Sequence, residues 1–378
     1  DTIKLMPRGV GSLLYPSWDR AFTVSNGLKM LNIKYFLTCC FALSSTVCGD
    51  TSKGVFRGGY LSADEDGNAL DTIKLMPWEI LTHVIYLSEP DELKPLKKLC
   101  EQKKKHKEVK VIYYLSMSGR NGNDLKELKE LYTKLASKHC LDGALIDVPF
   151  MNLEHARDLI QNSCAYLKGM QHLCYLRVSR DTDTMRITKD MKLHEFADGV
   201  VVTTKFPFAQ KYILRPRTVY KSPQDEDSSI EETINFWRSK GFPSSKIILD
   251  LIIQSDTLYK FKGETPKEPF GAECQTVIHF AEKGNRVDEK KMKLFFDTQY
   301  GFEYAMNESH LLAKTYPKSA YEQTKYMKKE GILGFAIWEL NYEGFKPKKS
   351  KDITFPILRE ANKGMDCSFS ETIKQTQV

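Results

Sequence analysis

Asp147 stands at the end of an apolar run, Leu141-Asp142-Gly143-Ala144-Leu145-Ile146-Asp147-Val148-Pro149. The run reads as a strand covered on both faces, with Asp142-Gly143 as its opening turn. A carboxylate at the end of such a strand is where general acid or base work would be done, work commonly worth ~10²–10⁴ in rate. Asp147 is the one carboxylate there, and by itself it is no basis for catalysis. Pro149, two residues on, has neither a titratable group nor a backbone N–H. Glu154 follows, but an extended chain puts it roughly 15 Å or more beyond, outside hydrogen-bond reach unless the loop folds back. Metal chemistry is not signalled either. The eight His are scattered without a paired ligand motif, and none of the nine Cys falls in C-x-x-C spacing. No catalytic residue, metal ligand or cofactor is therefore assigned.

The elements that must position Asp147 alternate short apolar strands with helical patterns, which predicts a parallel α/β fold. The expected strands are Gly58–Ser62, His83–Leu87, Val109–Leu115, Ala144–Val148, His172–Val178, Gly199–Thr203, Lys246–Ile253 and Ile332–Leu340. Eight is the number a closed (β/α)8 TIM barrel requires. Helical periodicity fits between them, as in Asp124–Leu135, in Ile230–Ser239, and in Ser319–Lys329 with its stop at Glu330-Gly331. About 258–316, between strands seven and eight, is too long for an ordinary loop and predicts a small inserted α+β domain.

Length and composition suit one large core: 378 residues, 41% hydrophobic. The formal charge is +7, with both signs mixed along the chain. Residues 1–49 hold five Lys or Arg against two Asp or Glu, leaving 51 against 47 in the rest, too mild an excess to imply nucleic acid. One dense basic run, Lys94–Lys110, reads as a solvated helix face, with a polyanion-binding patch as the alternative.

The N-terminus poses two questions. Residues 30–49, a short basic stretch, an apolar run and Val47-Cys48-Gly49, have the pattern of a signal peptide, and the apolar run is too short to span a bilayer. A buried first strand or helix is the alternative. Upstream, DTIKLMP at 1–7 recurs identically at 71–77, so 1–29 reads as a partial duplication or gene-model artefact with Met30 as the working start. The expected mature chain is then 50–378, secreted and without a membrane span. It retains Cys100, Cys140, Cys164, Cys174, Cys274 and Cys367, an even set suited to an oxidising compartment, though buried thiols would serve equally. Asn307-Glu308-Ser309 is a glycosylation sequon.

Motifs in order along residues 55–367 resemble glycoside hydrolase family 18, the chitinases. Thr82-His83-Val84-Ile85-Tyr86 is similar to the family's T-H-I-x-Y, and Ser116-Met117-Ser118-Gly119 to its S-x-G-G. Lys246-Ile247-Ile248-Leu249 resembles K-L-V-L, and Gly334-Phe335-Ala336-Ile337-Trp338-Glu339-Leu340 resembles G-x-M-x-W-x-L, followed by Phe345. Glu273-Cys274 and Phe295-Phe296-Asp297 resemble the family's α+β insertion, and the same resemblance implies a Cys274–Cys367 disulfide.

Laid on the family's D-G-x-D-x-D-W-E, Asp142, Gly143 and Asp147 match, while Leu145, Val148 and Pro149 replace the first Asp of the run, the Trp and the acid. The family's reaction is substrate-assisted: the Glu protonates the leaving oxygen and the Asp two residues earlier, here Asp147, orients the acetamide. Ser88, Arg120, Thr204, Lys205 and Gln254-Ser255-Asp256 also depart from the sugar-contacting pattern.

Trp338 as the floor under a sugar, Asp147 and Tyr60 are the carbohydrate-binding residues the resemblance implies; the alternatives are a core Trp at the barrel mouth, a buried Asp satisfied by neighbouring hydroxyls or amides, and, for Tyr60, packing, which is the simpler reading there. The expectation is a secreted chitinase-like pseudoenzyme that binds a glycan (chitin or N-acetylglucosamine oligomers) or a protein partner at the barrel mouth. A weakly active hydrolase and a structural or signalling protein with a vestigial cleft are the alternatives.

Overall fold

The computed structural model describes residues 54–63, 68–88, 93–116, 124–148, 153–179, 192–203, 214, 229–253, 256–280, 289–343 and 354–366. The leader at 1–29 and the signal peptide at 30–49 lie outside the described residues. Seven parallel strands come first: β1 (Phe56–Ser62), β2 (His83–Leu87), β3 (Lys110–Ser116), β4 (Gly143–Asp147), β5 (Leu173–Ser179), β6 (Gly199–Thr203) and β7 (Ile247–Ile252). Five more, β8 (Asp256–Phe261), β9 (Cys274–Phe280), β10 (Lys293–Asp297), β11 (Phe302–Met306) and β12 (His310–Ala313), form a separate antiparallel sheet ordered β10-β11-β12-β8-β9. Then β13 (Gly334–Trp338) pairs with β7 and β1 and closes the barrel. The predicted TIM barrel and its insertion are both present, and the inserted sheet is antiparallel.

Period-two alternation sorts the barrel residues. Phe56, Ile85, Ile112, Leu145, Tyr175, Val201, Ile248 and Ala336 point inward and fill the interior. Their outward neighbours, such as Leu61, Val84, Val111, Ile146, Val200 and Leu249, pack under the helices. The closing seam needs glycine: a Cβ at Gly334 would sit 1.8 Å from the Phe56 carbonyl oxygen. Deep in the interior, His83 stacks on Phe56 at 3.9 Å, and burial, with Lys110 adding to it, holds its pKa down to about 3, so it is neutral.

The helices that flank the described strands are α1 (Asn68–Leu75), α2 (Leu93–Lys103), α3 (Asp124–Ala136), α4 (Leu153–Gly169), α5 (Ile230–Ser239), α6 (Pro317–Lys329) and α7 (Pro356–Met365). Helix α3 buries Leu128, Tyr132 and Leu135, the face its periodicity marks. Ser229 and Glu232 form a capping box on α5, and Gly331 at φ 66° ends α6 where Glu330-Gly331 signals a stop.

Glu343 anchors α7. Its buried carboxyl group accepts from the backbone N–H of Ile357 and from that of Leu358 at 3.0 Å. Burial pushes its pKa up to about 8 from 4.5. The folded chain therefore keeps a proton that the unfolded chain releases, and stability falls as pH rises from about 4.5 to 8, by at most about 1.4 kcal/mol per pH unit. Urea titrations at several pH values should show Glu343→Gln with a flatter profile than wild type in that window. Parallel profiles would contradict the assignment.

Candidate ligand-binding site at the barrel mouth

At the C-terminal ends of the strands the inward positions turn polar. Tyr60 (β1), Tyr114 (β3), Asp147 (β4), Arg177 (β5), Thr203 (β6), Asp250 (β7) and Trp338 (β13) share one network. Strand register puts Asp147 directly beside Arg177.

Arg177 is the hub. Its Nη1 lies 3.4 Å from Asp147 Oδ1 and its Nε lies 3.3 Å from Asp250 Oδ2. Its guanidinium carbon lies 4.5 Å from the centre of the Trp338 ring, a cation–π contact. Asp250, fully buried, also accepts from the Thr203 hydroxyl at 2.9 Å and the Tyr60 hydroxyl at 3.1 Å. The Tyr114 hydroxyl donates to Asp147 Oδ2. Tyr60 packs on Trp338 with ring centres 4.4 Å apart. Beside it, the Ser62 hydroxyl donates to Glu339, and Asn341 Nδ2 donates to the Ser62 carbonyl at 2.8 Å.

These contacts fix the protonation states. Burial, with Asp250 adding to it, pushes the Tyr60 phenol well above its ordinary value. Burial and then Asp147 do the same to Tyr114. Burial works against the Arg177 charge, yet Asp250, Tyr60 and Asp147 outweigh it and raise its pKa. Burial also raises Asp250, opposed by Arg177 and by the Thr203 and Tyr60 hydrogen bonds. Both phenols thus stay protonated near neutrality, as hydrogen-bond donors engaged with carboxylates. The arrangement can hold charge and present an edge of aromatic surface; neither phenol is poised to protonate a leaving group.

The three residues picked out from sequence, Tyr60, Asp147 and Trp338, come together here. Ser88 directly follows β2, and its carbonyl accepts from the Tyr113 hydroxyl at 3.0 Å. Pro149, Glu154's side chain, Arg120, Thr204, Lys205, Gln254 and Ser255 lie outside the described residues. Arg177 and Asp250 were not anticipated. Each is a lone charge at an inward position of an otherwise apolar strand, a pattern the period-two rule could have flagged. Among the described residues no group of three or more His, Cys, Asp or Glu is placed to hold a metal ion.

Among the described residues four cysteines form two disulfides, Cys100–Cys140 and Cys164–Cys174. Cys274 is buried in the inserted sheet without a disulfide partner among the described residues, and Cys367 lies outside them. Asn307 occupies the β11–β12 turn, its Oδ1 accepting from the backbone N–H of Ser309 at 3.0 Å and of His310 at 2.9 Å. No described helix is long and apolar enough to cross a membrane.

A parallel eight-stranded barrel carrying an antiparallel insertion before its last strand is the fold of the chitinases and chitinase-like proteins of glycoside hydrolase family 18. The chain resembles a chitinase-like agglutinin of Robinia pseudoacacia (15% identity, TM-score 0.68, 82% of this chain and 99% of that one). It also resembles the Group IV chitinase of Ostrinia furnacalis in complex with allosamidin (11%, TM-score 0.65, 82% and 98%). A third likeness is to YKL-39 in the presence of chitooligosaccharides (15%, TM-score 0.64, 82% and 98%). At such identities the fold is what is shared. No protein-family model matches the sequence, and no curated protein matches it.

Proposed function

We propose that this is a secreted, catalytically inactive chitinase-like protein of glycoside hydrolase family 18 that acts by binding an N-acetylglucosamine-containing glycan. One observation carries the loss of hydrolysis: Arg177 lies across Trp338 between Asp147 and Asp250. In the resembled family the space over that Trp takes the sugar ring and the Asp orients its acetamide. Here the two groups are engaged with Arg177 instead, and Pro149 stands where the acid would be. The glycan reading is supported by neighbours crystallised with chitooligosaccharides and allosamidin, and by the partly exposed Trp338. Two disulfides support export, and Cys274–Cys367 and glycosylation at Asn307 belong to the same proposal. The guanidinium over the indole favours a second reading, a protein partner docking on the mouth loops, where this architecture carries its function.

Calorimetric titration with N-acetylglucosamine tetramer separates the two. The glycan reading expects binding that weakens at least about tenfold in Trp338→Ala, the loss of one stacking contact. No binding by wild type rejects the glycan and leaves the protein partner.

A further inference from the structure

At the opposite end of the barrel, before β3 and β4, the end of α2 and the turn after it face the residues that follow α3 across a groove of about 590 Å³. Lys97, Lys103, Lys104, Lys107 and Lys138 line it, with His139. This is the basic run that the sequence left open between a solvated helix face and a polyanion patch. The geometry adds that the exposed cations of this run, together with Lys138, line one concavity.

Their pairing is the informative part. Lys103 is spoken for: it donates to the Cys140 carbonyl at 3.1 Å and to Asp142. Glu101, the acid in the lining, is held by Lys98 at 2.7 Å, and Asp142 by Lys103 and by Lys110 at 3.8 Å. Lys97, Lys104, Lys107 and Lys138 are exposed, and none has a carboxylate within 4.0 Å among the described residues. Four ammonium groups are thus gathered round one groove whose one lining carboxylate, Glu101, is paired with Lys98. Desolvation and then Lys97 and Lys138 hold the His139 imidazole below its ordinary pKa, so it adds no further cation at neutral pH.

We propose that this groove is a second binding site, for a sulfated polysaccharide. A chain carrying a sulfate every few ångströms supplies the missing counter-charges, and the volume falls within the usual range for ligand clefts. The Cys100–Cys140 disulfide forms part of the wall and ties the end of α2 to the segment before β4, so the backbone that carries the lysines is fixed before the ligand arrives. The same disulfide fits the export proposed above. The lining argues against a nucleic acid. It has no Trp, Tyr, Phe or Arg, so bases have nothing to stack on and phosphates no planar fork to pair with. Lysines alone read charge density. The site stands independently of the reading of the barrel mouth, from which it is separated by the length of the strands.

Calorimetry with a heparin-derived octasaccharide at physiological salt, on the full chain, tests it. Two variants with equal charge change are compared: K97A/K104A/K107A/K138A in the groove and K126A/K267A/K293A/K329A elsewhere. Wild type should bind with an affinity that falls steeply with added salt. The groove variant should bind at least tenfold more weakly, and the other variant within threefold of wild type. Acetylation footprinting of the wild-type protein, which needs no variant, should show Lys97, Lys104, Lys107 and Lys138 protected by the octasaccharide. No binding by wild type, equal weakening in both variants, or protection elsewhere overturns the proposal. So does tenfold tighter binding of a single-stranded oligonucleotide of equal charge, which would make the groove a nucleic-acid site.

Discussion

Arg177→Ala is expected to cost the folded barrel about 3–5 kcal/mol, the usual effect of removing one partner of a buried ion pair. The reason is Asp250, which is fully buried and whose charge is compensated by the guanidinium at 3.3 Å. Thr203 and Tyr60 donate hydrogen bonds to it but carry no charge, so they cannot replace that compensation. Trp338 and Asp147 lose a contact in the same variant. Urea denaturation followed by far-UV circular dichroism measures the loss. Arg177→Met/Asp250→Asn, which removes both charges at similar volume, should recover most of it. A loss below 1 kcal/mol in Arg177→Ala would mean that the network is solvated and does not lock the mouth.

The second large effect belongs to the disulfides. Cys100–Cys140 joins residues 40 apart, and Cys164–Cys174 residues 10 apart. Chain-entropy cost rises with loop length, so Cys100→Ser/Cys140→Ser should lose about 4 kcal/mol and Cys164→Ser/Cys174→Ser about 3 kcal/mol. Both exceed the effect expected of a surface substitution, and their order is the diagnostic. Denaturation of the two double variants beside the wild type checks it. A negligible change in both would mean that neither link constrains the unfolded chain, and would weaken the inference of an oxidising compartment.

The barrel was legible because its signal is repeated. Each strand is a short apolar run flanked by turn residues, and eight such runs agree on one closed sheet even where a boundary moves by a residue or two. The insertion was legible only as excess length, since strands such as Lys293–Asp297 and His310–Ala313 are too short and too mixed to announce a sheet alone. At the mouth, Tyr60, Asp147 and Trp338 were found through family motifs. Arg177 and Asp250 escaped because no motif contains them. Their meaning depends on two strands far apart in sequence delivering opposite charges to one layer. Disulfide connectivity escaped for the same reason: six cysteines allow many pairings, and only the packing of α2 near the start of β4 brings Cys100 to Cys140. The basic run could be seen in sequence, but not that Lys138, from beyond it, joins Lys97, Lys104 and Lys107 round one groove.

The most direct measurement of whether this barrel has left hydrolysis behind is turnover of N-acetylglucosamine oligomers by the purified chain between pH 4 and 8, run beside Asp147→Ala. Product release indistinguishable between the two, at the level of buffer, is the expected result. Release by the wild type that Asp147→Ala abolishes would contradict a non-catalytic mouth and make the protein an enzyme with an acid supplied from elsewhere.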